Sequence, residues 1–227
     1  MDPVQLVVVA AGLRQPSTTR MLADRLAVAA ERELLARAGS VGDAGEAGQG
    51  GSEGREVRVR VIELRELATD IAHNLVTGFP NATLAEALKA VESADGLIAV
   101  SPIFSASYSG LFKSFFDLID PQALSGTPVL IAATGGSVRH SLALEHALRP
   151  LFAYLHATVV PTAVYAATED WGASSGTETA DLAARVDRAA AELAALITGS
   201  AATRTRSAAA DGDDFEDVIP FERLLGQ

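Results

Sequence analysis

The sequence predicts an α/β protein in which helices cover both faces of a five-stranded parallel sheet, a three-layer α/β/α arrangement. Short, uninterrupted apolar runs recur along the chain and are typical of strands buried on both faces. These runs alternate with helical patterns, which favours right-handed strand–helix–strand crossovers. Three of the runs are followed directly by loops of small and hydroxyl residues. In an open parallel sheet such loops meet beyond the carboxyl ends of the strands, where ligands bind.

The strands are predicted from composition and alternation. Residues 4–10, 96–100 and 128–133 are continuous apolar runs and indicate fully buried strands. Residues 57–62 alternate apolar and charged side chains, which indicates an edge strand with one wetter face. Residues 158–166 form the last strand, interrupted at Pro161 because proline cannot donate to the ladder.

The helices are predicted from apolar residues that recur at helical spacing, with charges on the opposite face. Residues 64–75 are left open as either an irregular segment or one short helix. The predicted helices span residues 19–37, 81–93, 110–119, 140–155 and 179–197.

The domain boundaries follow from changes in composition. Residues 1–198 are expected to form one domain, and the segment 39–56, rich in Gly, Ala, Ser and Glu, is expected to be a flexible insertion. Residues 199–227 are predicted to be a largely disordered tail, in which the apolar segment 215–225 docks on the core or on a neighbouring subunit.

The bulk composition excludes several function classes. A formal net charge of −11 argues against nonspecific binding to nucleic acid or to an anionic membrane. The absence of cysteine excludes disulfides, thiolate catalysis and cysteine metal sites, and no other metal-ligand spacing is seen. No secretory signal and no apolar run of membrane-spanning length is visible, so a cytoplasmic protein is expected.

The first loop, residues 12–20, combines cationic and hydroxyl donors with the start of a helix. Arg14 and Arg20 can donate charge-assisted hydrogen bonds, and Ser17, Thr18 and Thr19 offer hydroxyls. Together with the free N–H groups of the helix start, these donors predict an anion site. The alternative is that the hydroxyls only cap the helix. The loop is neither a Walker loop nor a GxGxxG turn, which disfavours a triphosphate or a conventional dinucleotide.

The second and third loops predict close backbone approach to a flat ring. In residues 101–110, Pro102 removes a donor and the small residues up to Gly110 leave room for the ring, while Phe104 and Tyr108 either contact it or only pack. In the third loop, Gly135 and Gly136 expose backbone amides.

With these motifs in view, the chain resembles the NADPH-dependent FMN reductases of the flavodoxin-like superfamily, and most closely the branch that supplies reduced flavin to two-component monooxygenases. The resemblance covers residues 4–196, and its most specific parts are residues 107–113, 133–137 and 148–150. It departs from the family pattern at Phe104 and at His146, where Tyr is found in other members.

The resemblance implies a flavodoxin-like fold, FMN as cofactor, NADPH or NADH as hydride donor, and a homodimer or homotetramer. It implies no metal and no acid–base catalyst, and His140 is assigned to the pocket lining only. The residues implied to bind the cofactor are Arg14, Ser17, Thr18, Thr19 and Arg20 in the first loop, Pro102, Ile103, Phe104, Ser107 and Gly110 in the second, and Thr134, Gly135, Gly136, Ser137 and His140 in the third.

The function expected from the resemblance is hydride transfer from nicotinamide C4 to flavin N5, with delivery of reduced FMN to a partner monooxygenase. Three alternatives remain open. Two are on the same fold, a quinone or azo reductase with permanently bound FMN and a flavodoxin-type electron carrier. The third is a flavin-binding docking or regulatory protein, which only the apolar C-terminal segment favours. The sequence does not distinguish NADPH from NADH.

Overall fold

The computed structural model describes residues 3–40, 56–171 and 176–210. Strands and helices alternate along these residues. The strands are β1 (Val4–Ala10), β2 (Val57–Glu63), β3 (Gly96–Phe104), β4 (Ser107–Tyr108), β5 (Pro128–Gly135), β6 (Thr158–Val159) and β7 (Val164–Ala167). The helices are α1 (Thr18–Ser40), α2 (Ala68–Thr77), α3 (Ala82–Glu92), α4 (Gly110–Phe116), α5 (Arg149–Tyr154) and α6 (Gly176–Ala210).

The sheet has the parallel architecture expected from the sequence. Its strands lie in the order β2-β1-β3-β5-β6, and every pair along this path is parallel. The five strands on this path have the flavodoxin-like order. The chain adds β2 on one side of β1 and then crosses over to add β3 on the other side. The last strand is split as expected around Pro161, and both halves, β6 and β7, pair with β5. The prediction of β2 as an edge strand is confirmed.

Alternating side chains of the sheet enter two separate cores. In β1, Val7 and Val9 face the core that contains residues of α2, α3, α4 and α5, while Leu6 and Val8 face the core formed with α1 and α6. This division follows from the two-residue period of a strand, because successive side chains point to opposite faces. Helices therefore cover both faces of the sheet and leave its carboxyl edge open.

Aromatic side chains are few in the chain, and several of them meet in one core. Phe112, Phe116 and Phe152 are fully buried. The ring of Phe116 lies 4.6 Å from that of Phe112 and 5.0 Å from that of Phe152, between ring centroids. The edge-to-face contact of Phe116 with Phe152 is a favourable arrangement for aromatic pairs. This cluster joins α4 to α5 beneath the sheet.

Two predicted boundaries are wrong in ways that affect the site. The second loop does not begin after Val100, since β3 continues to Phe104 and forms an antiparallel hairpin with β4. Ser105 and Ala106 form its turn, both with positive φ. The helix expected over residues 140–155 is broken into a 3-10 turn (Val138–His140), a π-helical turn (Leu144–Leu148) and α5. Pro150 lies in the first turn of α5, where its missing N–H is tolerated.

The ends of the long helices also differ from expectation. Residues 199–210, expected to be disordered, continue α6 to Ala210. The expectation of disorder rests on the change in composition to Ala, Ser, Thr, Arg and Asp, but alanine, the best helix former, is abundant in this stretch. Most of the predicted insertion (residues 41–55) and the predicted docking segment (215–225) lie outside the described residues. Within the described residues, no helix is long and apolar enough to cross a membrane.

We predict that Phe152→Ala lowers the free energy of unfolding by about 3–5 kcal/mol, because it removes a fully buried ring and leaves a cavity between Phe112 and Phe116. Chemical denaturation measures the loss. The matched control is Phe79→Ala, because the Phe79 side chain is 78% exposed and its truncation should change stability by less than about 0.5 kcal/mol. Equal losses in the two variants would contradict the packing described here.

Candidate active site

A cavity of about 450 Å³ opens at the carboxyl edge of the sheet, where β1, β3 and β5 end. Its volume lies within the range of small-molecule sites in proteins. All three predicted loop regions contribute to its wall. The lining residues are Leu13, Arg14, Pro16, Ser17, Thr18, Thr19, Pro102, Ile103, Phe104, Thr134, Gly135, Gly136 and Thr168.

The first wall is the loop between β1 and α1. Gly12 is required here, because a Cβ atom at this position would lie 2.1 Å from the Ser17 hydroxyl oxygen. The Ser17 hydroxyl accepts a hydrogen bond from the backbone N–H of Arg20 at 3.2 Å, so Ser17 caps α1 as well as lining the cavity. The capping alternative considered for this loop therefore holds for Ser17, and it coexists with the cavity wall.

A buried hydrogen bond joins the first wall to the third. The hydroxyl groups of Thr19, in α1, and Thr134, in β5, lie 2.8 Å apart. The two side chains are only 3% and 4% exposed, although the residues are 115 positions apart in sequence. A buried hydroxyl without a partner is costly, so this pair holds the start of α1 against the end of β5.

The two arginines of the first loop differ in their surroundings. Arg14 is exposed, is the one charged residue among those lining the cavity, and has no ion-pair partner within the described ranges. Arg20, in contrast, pairs with Asp24 at 2.8 Å and with Glu63 at 2.5 Å and does not line the cavity. The hydrogen bond with Asp24, and then the nearby carboxylate charges, raise the pKa of Arg20 above its ordinary value. The structure thus keeps one of the two predicted cations available for an anion.

The second wall is the end of β3. Pro102, Ile103 and Phe104 line the cavity as strand residues rather than as a loop. The base of the hairpin is held by the buried Ser101 hydroxyl, which accepts from the backbone N–H of Ser109 at 3.0 Å.

Two residues predicted for this wall lie elsewhere. Ser107 lies in β4, where it pairs with Phe104 of β3, and Gly110 begins α4. Neither residue lines the cavity.

The third wall is the glycine pair at the end of β5. Gly135 and Gly136 line the cavity, whereas the predicted residues Ser137 and His140 do not. The Ser137 hydroxyl accepts from the backbone N–H of Arg139 at 3.3 Å, and its carbonyl accepts from the Tyr165 hydroxyl at 2.8 Å. His140 is exposed at the end of the 3-10 turn that follows.

Three lining residues were not predicted. Thr168 directly follows β7, so the rule that placed the other loops at strand ends also applied to it. Leu13 and Pro16 flank Arg14 in the first loop, and nothing in the sequence separated their roles from those of their polar neighbours.

Comparison with known proteins identifies the family. Residues 4–172 match the family described as NADPH-dependent FMN reductase, which is well over half of the chain. The chain belongs to this family. The matched range includes every residue that lines the cavity, so the FMN reductase family assignment and the site refer to the same part of the molecule.

Individual FMN reductases show the same likeness over most of their length. A protein of Pseudomonas putida described as the NADH-dependent FMN reductase SfnF is 39% identical over 73% of this chain and 78% of its own. An FMN reductase (NADPH) of Pseudomonas aeruginosa is 39% identical over 75% of this chain and 80% of its own.

Solved structures share the fold. An oxidoreductase from Corynebacterium diphtheriae is 44% identical, with a TM-score of 0.77 over 88% of this chain and 99% of that chain. The apo form of the NADH:FMN oxidoreductase EmoB is 29% identical, with a TM-score of 0.60 over 82% of this chain and 87% of that chain. A WrbA-like flavodoxin from Agrobacterium tumefaciens, 16% identical with a TM-score of 0.53, agrees in fold alone. The flavodoxin-like fold is confirmed.

We predict that Thr19→Val lowers the free energy of unfolding by about 1–3 kcal/mol, because the Thr134 hydroxyl then remains buried without a partner. Denaturant unfolding measures this, and the double variant Thr19→Val/Thr134→Val should lose less than the sum of the two single variants. Thr18→Val is the control, since Thr18 is exposed and its hydroxyl has no hydrogen-bond partner within the described ranges. Additive losses would show that the two hydroxyls are not coupled.

Proposed function

We propose that this protein is an NAD(P)H-dependent FMN reductase and that FMN binds in the cavity at the carboxyl edge of the sheet. The observation that carries the proposal is the contrast between the parts of the cavity wall. The first wall has a helix start and a cation without an ion-pair partner in the described structure, whereas the second and third walls have an uncharged strand end and a glycine pair. This contrast fits a molecule with an anionic tail and a flat ring.

The phosphate of FMN would bind at the first wall. The helix α1 begins at Thr18, so its first N–H groups point out of the helix toward the loop. Arg14 adds a full positive charge, while the wall contains no carboxylate. The chain as a whole has a formal net charge of −11, but the first wall is locally positive, as the binding of a phosphate requires.

The ring of FMN would bind between the second and third walls. Pro102, Ile103 and Phe104 offer apolar side chains and strand backbone on one side. On the other side, Gly136 has open space around it, since a Cβ atom there would meet nothing within 4 Å. No neighbour in the described structure therefore requires glycine at position 136, and a closely approaching ring supplies the missing reason.

The chemistry that the cofactor supplies when bound is acceptance of a hydride at N5 from the nicotinamide of NAD(P)H. The chain's own part is to bind the phosphate, orient the ring and exclude water from the wall formed by Pro102, Ile103 and Phe104. Apart from Arg14, none of the lining residues has a titratable side chain. This supports binding and orientation, rather than acid–base catalysis, as the work of the protein.

The resemblance also bears on assembly, partner and location. We propose a homodimer or homotetramer, supported by the exposed apolar side chains of Val138 and Leu142 on the segment after the third wall. We propose a partner monooxygenase that takes up reduced FMN, on the resemblance alone. A cytoplasmic location is supported by the lack of cysteine.

Turnover with free FMN tests the activity. We expect the purified protein to oxidise NADH or NADPH at a rate that depends on added FMN, followed as the loss of nicotinamide absorbance. Oxidation that is supported by a quinone and indifferent to added FMN would favour the quinone reductase alternative. No oxidation of either nucleotide would contradict the proposed activity.

Arg14→Ala tests the phosphate site. We expect the dissociation constant for FMN to rise about 10- to 100-fold, since a hydrogen bond to a charged group is worth about 1.5–3 kcal/mol. Fluorescence titration of FMN measures this. Arg188→Ala is the matched control, because Arg188 is also exposed and unpaired within the described residues but lies on α6, away from the cavity lining. An FMN affinity unchanged by Arg14→Ala would contradict the assignment of the first wall.

A further inference from the structure

The hydroxyl of Tyr165 lies directly behind the glycine pair of the third wall, outside the cavity lining. It donates a hydrogen bond to the carbonyl of Ser137 at 2.8 Å, and its position leaves no room for a side chain at residue 135. We propose that Tyr165 is the positioning residue of the third wall and that it, rather than the cofactor, is the reason for glycine at position 135. The inference rests on the proposed binding of FMN in this cavity.

The two glycines have different surroundings. A Cβ atom on Gly135 would lie 2.1 Å from the Tyr165 hydroxyl oxygen and 3.1 Å from the ring carbon Cζ that carries it. A Cβ atom on Gly136 would meet nothing within 4 Å. A side chain at position 135 would therefore displace the Tyr165 hydroxyl, whereas position 136 has open space. Both residues line the cavity, but only Gly135 is packed against Tyr165.

Tyr165 is itself held from behind. It lies on β7 beside Ala133 of β5, and its side chain is 4% exposed. Its carbonyl accepts from the Arg185 guanidinium at 2.7 Å, and that guanidinium also pairs with Asp170 at 3.0 Å. A second oxygen of Asp170 accepts from the backbone N–H of Ala167 at 2.7 Å. Arg185 thus ties α6 to β7 directly at the Tyr165 carbonyl and, through Asp170, at Ala167.

The Tyr165 hydroxyl keeps its proton in these buried surroundings. Burial, followed by the nearby carboxylates of Glu169 and Asp170, raises the pKa of Tyr165 above its ordinary value. A raised pKa in an acid of this kind means that the neutral form persists to higher pH. The hydroxyl therefore remains a donor to Ser137 throughout the neutral range.

The consequence is a third wall that is in place before the ligand arrives. Gly136 lies between Gly135, packed against the phenol, and Ser137, whose carbonyl the phenol binds. Because the residues on both sides of Gly136 are held in this way, the third wall loses little conformational freedom when a ring binds against it. This preorganisation improves affinity without adding a contact.

The test is a double-mutant cycle on the full chain, read as the dissociation constant for FMN. Tyr165→Phe removes one neutral hydrogen bond and should raise that constant about 2- to 10-fold. Gly135→Ala should raise it further, because the new methyl group displaces the hydroxyl or the wall. In the Tyr165→Phe background the 2.1 Å contact with the hydroxyl is removed, and the methyl group meets the ring carbon at 3.1 Å and Ile103 Cβ at 3.8 Å. The loss from Gly135→Ala should therefore be at least about 3-fold smaller there.

Gly136→Ala and Tyr154→Phe are the matched controls. Gly136→Ala should weaken FMN binding by the same factor in both backgrounds, since its surroundings do not include Tyr165. Tyr154→Phe should leave binding unchanged, because the Tyr154 side chain is exposed and has no hydrogen-bond partner in the described part of the chain. In turnover, Tyr165→Phe should raise the KM for FMN and keep kcat, as expected of a residue that does not reach the reacting atoms.

Each outcome is decisive. Tyr165→Phe with a lowered melting temperature but an unchanged FMN affinity would make Tyr165 a purely structural residue and overturn the inference. Equal losses from Gly135→Ala in both backgrounds would overturn it as well. If Gly135→Ala folds only together with Tyr165→Phe, the steric coupling is established directly. Wild-type protein that binds no FMN would overturn the proposed function, and this inference with it, before any variant is compared.

Discussion

The cavity depends on the parallel register of β1, β3 and β5. Val8 of β1 lies beside Ile98 of β3, and Ile98 lies beside Leu130 of β5, so the three strands run level through the centre of the sheet. Because they also run in the same direction, the segments that follow them meet at one edge although they are distant in sequence. Every lining residue belongs to the end of β3 or β5, to the segment that follows β1 or β5, or to the one that follows β7. The site is therefore a property of strand order first and of side chains second.

Small polar groups hold these segments together. The Thr19–Thr134 hydroxyl pair joins the first wall to the third, Ser101 holds the hairpin of the second, and Tyr165 supports the third from behind. Each of these hydroxyl groups is buried and has a hydrogen-bond partner. The hydrogen bonds make the arrangement rigid, and removing one partner lowers the free energy of unfolding because the other group remains buried without a partner. Among the described residues, this arrangement leaves Arg14 on the wall without an ion-pair partner, while Arg20 is neutralised by carboxylates.

The predictions succeeded where local sequence determined local structure. The loop motifs, together with the family resemblance, named ten of the residues that line the cavity, among them Arg14, Thr19 and Gly136. They failed where pairing with a distant strand decided the outcome. Residues 101–104 have the composition of a loop, but pairing with β5 and with β4 extends them as strand. Likewise, Ser107, Gly110, Ser137 and His140 lie next to lining residues in sequence yet point to other parts of the fold, a distinction that no spacing rule contains.

By itself, the sequence determined the fold class, the order of the elements and the edge of the sheet at which a ligand would bind. Hydrophobic periodicity is visible within each short segment, and the alternation of strands and helices follows from reading these segments in order. Only the tertiary structure decided which of two arginines remains available and which of the two lining glycines is packed against the Tyr165 hydroxyl. Those choices depend on Glu63 and Tyr165, which are distant in sequence from the groups they contact. Ion pairs, hydrogen bonds and steric contacts act over a few ångströms, and only folding brings residues that are far apart along the chain to within those distances.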